Sequence, residues 1–222
     1  RVLCRMGDSL NAWRSLIHGG FPSIKDPELS PGIKALGDRP DGDVRGRLLA
    51  ALLAWELGEP KEECRRRLEV VQQFHPGEPS SANLLEQLGV LPKQDRLWLP
   101  GEAIVGKKMT RYSLLGDIEE LGEVDTVVVL NQGKWEMGLN ARATPLNEEW
   151  PIVRVEMNGQ LIARTQVNRS QDHEVLFTFD VNRGDIYRLK IVFENRMETL
   201  ESGRSSRRGL SINGVVFRRA RE

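Results

Sequence analysis

The hydrophobic period of this 222-residue chain changes near Lys107. Before it, apolar residues recur at helical spacing; after it, they alternate. The two periods demand different packing layers, and the length suits two domains. The expected fold class is mixed. A helical domain occupies residues 1–92, a linker 93–105, and an antiparallel β domain 106–222.

In the helical part, Asp8 or Ser9 can cap a first helix whose apolar residues are Leu10, Trp13, Leu16 and Ile17. Gly19-Gly20 stops it. Residues 21–40 carry four prolines and two glycines, which predicts a loop or short turns. Asp43 opens a strong helix with Leu48, Leu49, Leu52, Leu53 and Leu57. A second helix runs from Pro60 to Phe74 with Cys64, Leu68 and Val71 on one side. A shorter one covers about 80–88.

Strands are expected at 107–113, 124–130, 134–144, 152–157, 160–167, 173–180, 186–194 and 210–218. In Trp135-Glu136-Met137-Gly138-Leu139-Asn140-Ala141 the odd positions are apolar, and Tyr187-Arg188-Leu189-Lys190-Ile191 repeats the scheme. Half-buried antiparallel strands give this alternation. Asn158-Gly159 marks a tight hairpin, because both central residues of such a turn need positive φ.

Charge gives no global direction. The 32 basic and 32 acidic residues cancel, so neither nucleic acid nor a membrane surface is favoured. No apolar run reaches the roughly 18 residues of a membrane-spanning helix. Cys4 and Cys64 share no metal-ligand spacing, and a bridge between them is left open. No zinc pattern, nucleophile elbow or glycine-rich phosphate loop is present, so neither a catalytic residue nor a cofactor is expected. The chain opens at Arg1 and reads as a piece of a longer protein.

Two resemblances sharpen this reading. The pair of helices over 43–57 and 60–74 resembles one tetratricopeptide repeat, with Pro76 at the closing proline. Leu48, Ala51-Leu52, Trp55, Cys64, Leu68 and Val71 stand at its size-conserving positions. The segment Gly133-Lys134-Trp135 … Asn140-Ala141-Arg142-Ala143-Thr144 … Trp150-Pro151 … Asn158-Gly159 resembles the calcium-dependent, xylan-binding type of carbohydrate-binding module. So do Leu189 … Phe193-Glu194-Asn195 and Arg207-Arg208-Gly209-Leu210. This second resemblance covers roughly 107–218. It implies a jelly-roll-like β-sandwich, a glycan ligand and an extracytoplasmic setting (periplasm or cell surface).

At the family's calcium loops this chain departs from the pattern. Arg196 and Arg207 stand where the family has aspartates, and Gly209 replaces an asparagine. A hard cation needs several oxygen ligands, so no metal is expected there. The candidate ligand-binding residues are Trp135 and Trp150, as aromatic platforms for sugar rings, with Asn195, Arg196, Arg204, Arg207 and Arg208. Arginine forks recognise carboxylate and sulfate. Trp135 and Trp150 also suit a core, and Trp98 suits packing between the two domains.

The expected role is a non-catalytic accessory region of a larger protein, a membrane-associated parent included. Its sandwich would bind a polysaccharide or an acidic protein surface, and its helical part a protein. The alternative is a structural or assembly protein whose two domains make only protein–protein contacts.

Overall fold

The computed structural model describes residues 30–38, 44–101, 116–117, 123–195, 198–201 and 204–220. The chain divides into two compact units, Arg1–Leu97 and Trp98–Glu222. The expected first helix over residues 8–18 and first strand over 107–113 lie outside the described residues.

The first unit contains α1 (Ser30–Gly37), α2 (Val44–Glu56), α3 (Lys61–Phe74) and α4 (Pro79–Gln87). Helix α1 corrects the reading of residues 21–40 as loop. Pro31 is its second residue, and proline is tolerated in a first turn, where its missing N–H costs no helical hydrogen bond. Helix α2 packs against α1, α3 and α4. Residues 46–54 are buried all round, as an almost uniformly apolar helix requires.

Helix α3 is amphipathic instead, burying Cys64, Leu68 and Val71. Cys64 is a free, buried thiol. Helix α4 starts at Pro79 because Glu78 caps it. The buried Glu78 carboxylate accepts from the Ser80 and Ser81 amides at 3.0 and 2.7 Å, and from Ser81 Oγ at 2.6 Å. These bonds satisfy donors that a helix N-terminus otherwise leaves open. None of the described helices is long and apolar enough to cross a membrane.

The second unit is mostly antiparallel sheet. Its strands are β1 (Arg96–Pro100), β2 (Gly116–Asp117), β3 (Glu123–Leu130), β4 (Gly133–Thr144), β5 (Ile152–Met157), β6 (Gln160–Gln166), β7 (His173–Val181), β8 (Asp185–Phe193), β9 (Glu198–Glu201), β10 (Arg204–Arg207) and β11 (Gly209–Arg219). One sheet has the order β1-β11-β4-β7, with β2 also on β11; the other has β3-β8-β5-β6. Along β5, Val153, Val155 and Met157 are buried and their neighbours half-exposed. Strand β4 buries Trp135, Met137, Leu139, Ala141 and Ala143. Two sheets, each with one apolar face, make the arrangement of a β-sandwich.

At the β5–β6 turn, Asn158 and Gly159 both have positive φ, 51° and 80°. Asn158 also receives the Arg188 amide on its side-chain oxygen at 2.7 Å and donates its own amide to the Arg188 carbonyl at 2.8 Å. The turn is thereby stitched to the next strand.

Two stretches differ from expectation. Residues 96–100, read as linker, form β1, with Leu97 and Leu99 buried. Residues 195–209, left between the strands expected at 186–194 and 210–218, contain the β9–β10 hairpin, paired from Arg204↔Glu201 to Arg207↔Glu198.

Candidate functional site

The loop over residues 145–151, between β4 and β5, turns sharply. Asn147 and Glu148 have φ of 52° and 64°, and Leu146 and Glu149 exchange backbone hydrogen bonds at 3.0 and 3.1 Å. Asparagine tolerates the left-handed conformation; for Glu148 it costs about 1 kcal/mol. The turn aims the Leu146 and Glu149 carbonyls at a common point.

That point is occupied by the guanidinium of Arg208, a residue only 3% exposed. Its Nε donates to the Glu149 carbonyl at 3.0 Å. Its Nη2 donates to the Leu146 carbonyl at 3.3 Å and to the Glu149 carboxylate at 2.5 Å. Nη1 donates to the Asn195 carbonyl. Asn195 continues the network. Its side-chain oxygen accepts from the Ile152 amide at 2.7 Å, and its Nδ2 donates to the Trp150 carbonyl at 3.0 Å. Arg208 and Asn195 therefore close the base of the β9–β10 hairpin that runs between them, and they fix it to the loop preceding β5.

This geometry corrects two expectations. Arg208 is a structural clamp, because a buried arginine whose three nitrogens all donate to carbonyls or to the Glu149 carboxylate has no open fork for a ligand. Trp135 is fully buried, with Nε1 donating to the Asn131 carbonyl at 2.9 Å and the Arg219 guanidinium 4.9 Å from the ring centre. No sugar can stack on an enclosed ring. Trp150 is half-buried beside the network. Arg204 and Arg207 are described by their backbone alone, in β10, and Arg196 lies outside the described residues.

The described residues at this end do not fit a calcium ion. The carbonyls that converge here already bind a guanidinium. Glu194, the adjacent carboxylate, is engaged by Arg164 at 2.7 Å and Arg154 at 3.3 Å. Among the described residues no group of three or more His, Cys, Asp or Glu is placed to hold a metal ion.

A second surface was not legible as a site in the sequence. On the five-stranded sheet, the face opposite the core carries Glu136, Gly138 and Asn140 of β4. Their partners are Arg218, Val216 and Gly214 on β11, and Thr178, Leu176 and Glu174 on β7. Trp98 of β1 lies over Gly214, so close that a Cβ there would fall 2.4 Å from Cη2 of the indole. Trp98 is half-exposed on this sheet face. Glu174 lies over Gly138 and is held by Arg218 at 2.8 and 2.7 Å. Arg218 also reaches Glu136 at 3.2 Å. The alternation of Leu97-Trp98-Leu99 was the available signal for β1.

No protein-family model and no curated protein matches this chain. Among solved structures, it is similar to the CBM36-1 domain of a multidomain xylanase from the hindgut metagenome of Trinervitermes trinervoides. The identity is 13% and the TM-score 0.38, covering 57% of this chain and 99% of that one. It is also similar to a Podospora anserina GH26-CBM35 β-(1,4)-mannanase, at 10% identity and TM-score 0.39, over 59% of this chain and 29% of that one. A ruminal GH26 endo-β-1,4-mannanase has 9% identity and TM-score 0.41, over 60% and 27%. The chain spans less than a third of either mannanase. Likeness of this degree assigns neither ligand nor activity.

Proposed function

We propose that the second unit is a non-catalytic accessory module that binds a polysaccharide, and that it does so without calcium. The observation that carries this reading is the Arg208–Asn195 closure. It fixes the loop over 145–151 and the base of the β9–β10 hairpin as one preorganised end. Preorganisation lowers the ordering cost of binding. Arg196, Arg204 and Arg207 belong to this hairpin and its approach, and Trp150 borders the clamp. Guanidinium groups with an aromatic edge suit an acidic glycan.

The helical unit serves protein contact in this reading. Its α2–α3 pair, joined by a four-residue connection (57–60), has the plan of a helical hairpin repeat. It exposes Leu57 and Phe74.

The test is affinity electrophoresis of the chain through gels containing alginate or polygalacturonate, with EDTA. Retardation that Arg204→Ala with Arg207→Ala abolishes supports the loop-end site. Equal retardation of the double variant removes the arginines from recognition. Migration unaffected by any polysaccharide rejects the glycan role and leaves protein assembly.

A further inference from the structure

We infer that the Trp98 face of the five-stranded sheet is a separate binding surface for a neutral, extended polysaccharide chain. This rests on the glycan reading of the module but uses none of the loop-end residues.

Three observations point to it. First, Gly214 and Gly138 leave two adjoining positions of the sheet without side chains, and the buried Val216 lies between them on the same face of β11 and β4. Trp98 settles over one gap and Glu174 over the other. A half-exposed indole held against backbone has little rotamer freedom left to lose, which favours sugar C–H contact with its π system.

Second, hydrogen-bonding groups flank the indole. Asn213 Nδ2 lies 3.4 Å from Asn140 Oδ1, a long and weak bond between two half-buried side chains. At the other end of the floor, the Arg218–Glu174–Glu136 ion pairs remain partly exposed. Amides and oriented ion pairs are suited to hydroxyl groups, donating and accepting at once.

Third, the charges on this face nearly balance along β1, β4, β7 and β11: Arg96, Lys134, Arg142 and Arg218 against Glu136, Glu174 and Asp180. One excess positive charge gives an acidic polymer little advantage. Among the described residues, the exposed groups of this face run along the strands, so it suits internal stretches of a chain rather than a sugar terminus. The exposed Leu176 extends the apolar strip away from Trp98.

The test runs the full chain through native gels containing soluble xylan, galactomannan or hydroxyethylcellulose, with alginate in parallel. Wild type should be retarded by at least one neutral polymer. Trp98→Ala should weaken that retention about tenfold, the weight of one aromatic contact, with Trp98→Phe intermediate and alginate retention unchanged. Neutral retention that Trp98→Ala leaves intact overturns the sheet-face site while the module keeps its glycan role. Retention on alginate alone also overturns it, whereas no retention on any polymer overturns both readings. If Trp98→Ala does not fold, the Trp98 indole N–H resonance of ¹⁵N-labelled wild type, identified by its loss in Trp98→Phe, replaces it. That resonance should shift on adding xylohexaose or mannohexaose, and one unmoved by either oligosaccharide counts against the proposal.

Discussion

Arg208 grips Glu149 twice, donating to its backbone carbonyl at 3.0 Å and to its carboxylate at 2.5 Å. The two residues are 59 positions apart, and only Arg208 is buried; the Glu149 side chain is 70% exposed. The strength of the clamp therefore lies in the three carbonyls it satisfies, that of Leu146 buried, more than in the ion pair, which solvent weakens.

Arg208→Ala should destabilise the second unit by about 2 kcal/mol, because it takes the Arg208 donor from the Asn195 carbonyl and leaves the Leu146 and Glu149 carbonyls with only each other's amides. Arg208→Lys should recover only part of this, since an ammonium lacks the planar fork. Glu149→Gln should cost under about 1 kcal/mol. Urea unfolding of the three variants checks the order. An equal loss for Arg208→Ala and Glu149→Gln would place the clamp's worth in the ion pair instead.

Calcium should change nothing at this end. Calorimetric titration of the chain with calcium chloride is expected to show no heat of micromolar binding, and EDTA should leave the melting temperature where it was. The reason is positional: a cation entering the site would meet the Arg208 guanidinium at the convergence of carbonyls. Micromolar binding coupled to a rise in melting temperature would contradict this account.

Gly214→Ala should disturb the sheet face more than Gly138→Ala. A methyl at 214 meets the rigid indole of Trp98 at 2.4 Å and the Leu99 carbonyl at 2.6 Å. A methyl at 138 meets the end of the flexible Glu174 side chain at 2.7 Å. Overpacking against a rigid neighbour costs about 1–3 kcal/mol, while a side chain that can swing away costs less. Thermal unfolding of the two variants, with the Trp98 indole resonance as a local reporter, separates these outcomes.

How much of this the sequence carried depended on the range of the interactions involved. Alternation along β4, β5 and β8 and the Asn158-Gly159 turn are local, and the strands appear within a residue or two of expectation. Helix α1 was hidden because Pro31 reads as a breaker unless it falls in a first turn. The β9–β10 hairpin was hidden because Glu-Thr-Leu-Glu and Arg-Ser-Ser-Arg carry no apolar alternation. Arg207 and Arg208 look equivalent as sequence. What makes Arg208 a buried clamp is contact with Asn195, 13 residues away, and with Leu146 and Glu149, about 60 away. The same holds for Trp98, whose neighbour across the sheet is a glycine 116 positions later.

The Cys64 thiol should resist modification in the native protein. Burial pushes its pKa up, and the charges of Glu59 and Glu63 push the same way. Thiolate is the reactive species, so both its scarcity and its inaccessibility slow attack. Iodoacetamide followed by mass spectrometry of the peptide containing Cys64 should show little labelling at pH 7.5 and full labelling in urea. Rapid native labelling would mean that the α3 face opens readily.

Acid should weaken the helical unit through Glu63. The hydrogen bond from Arg66 holds its carboxyl down to about 2, against a modest desolvation by burial, and the charges of Arg67 and Arg66 add to the effect. The ordinary value is 4.5, so between about pH 4.5 and 2 the unfolded chain takes up a proton that the folded chain refuses. The stabilisation is thus complete above about pH 4.5 and is lost as pH falls toward 2. Its size is small, under about 1 kcal/mol, because the pairs are solvent-screened. Glu63→Gln removes it, so the urea midpoint of the variant should lie below wild type at pH 7 and converge on it near pH 2.5. A gap that persists unchanged across that range would assign the loss to packing of Glu63 and not to its charge.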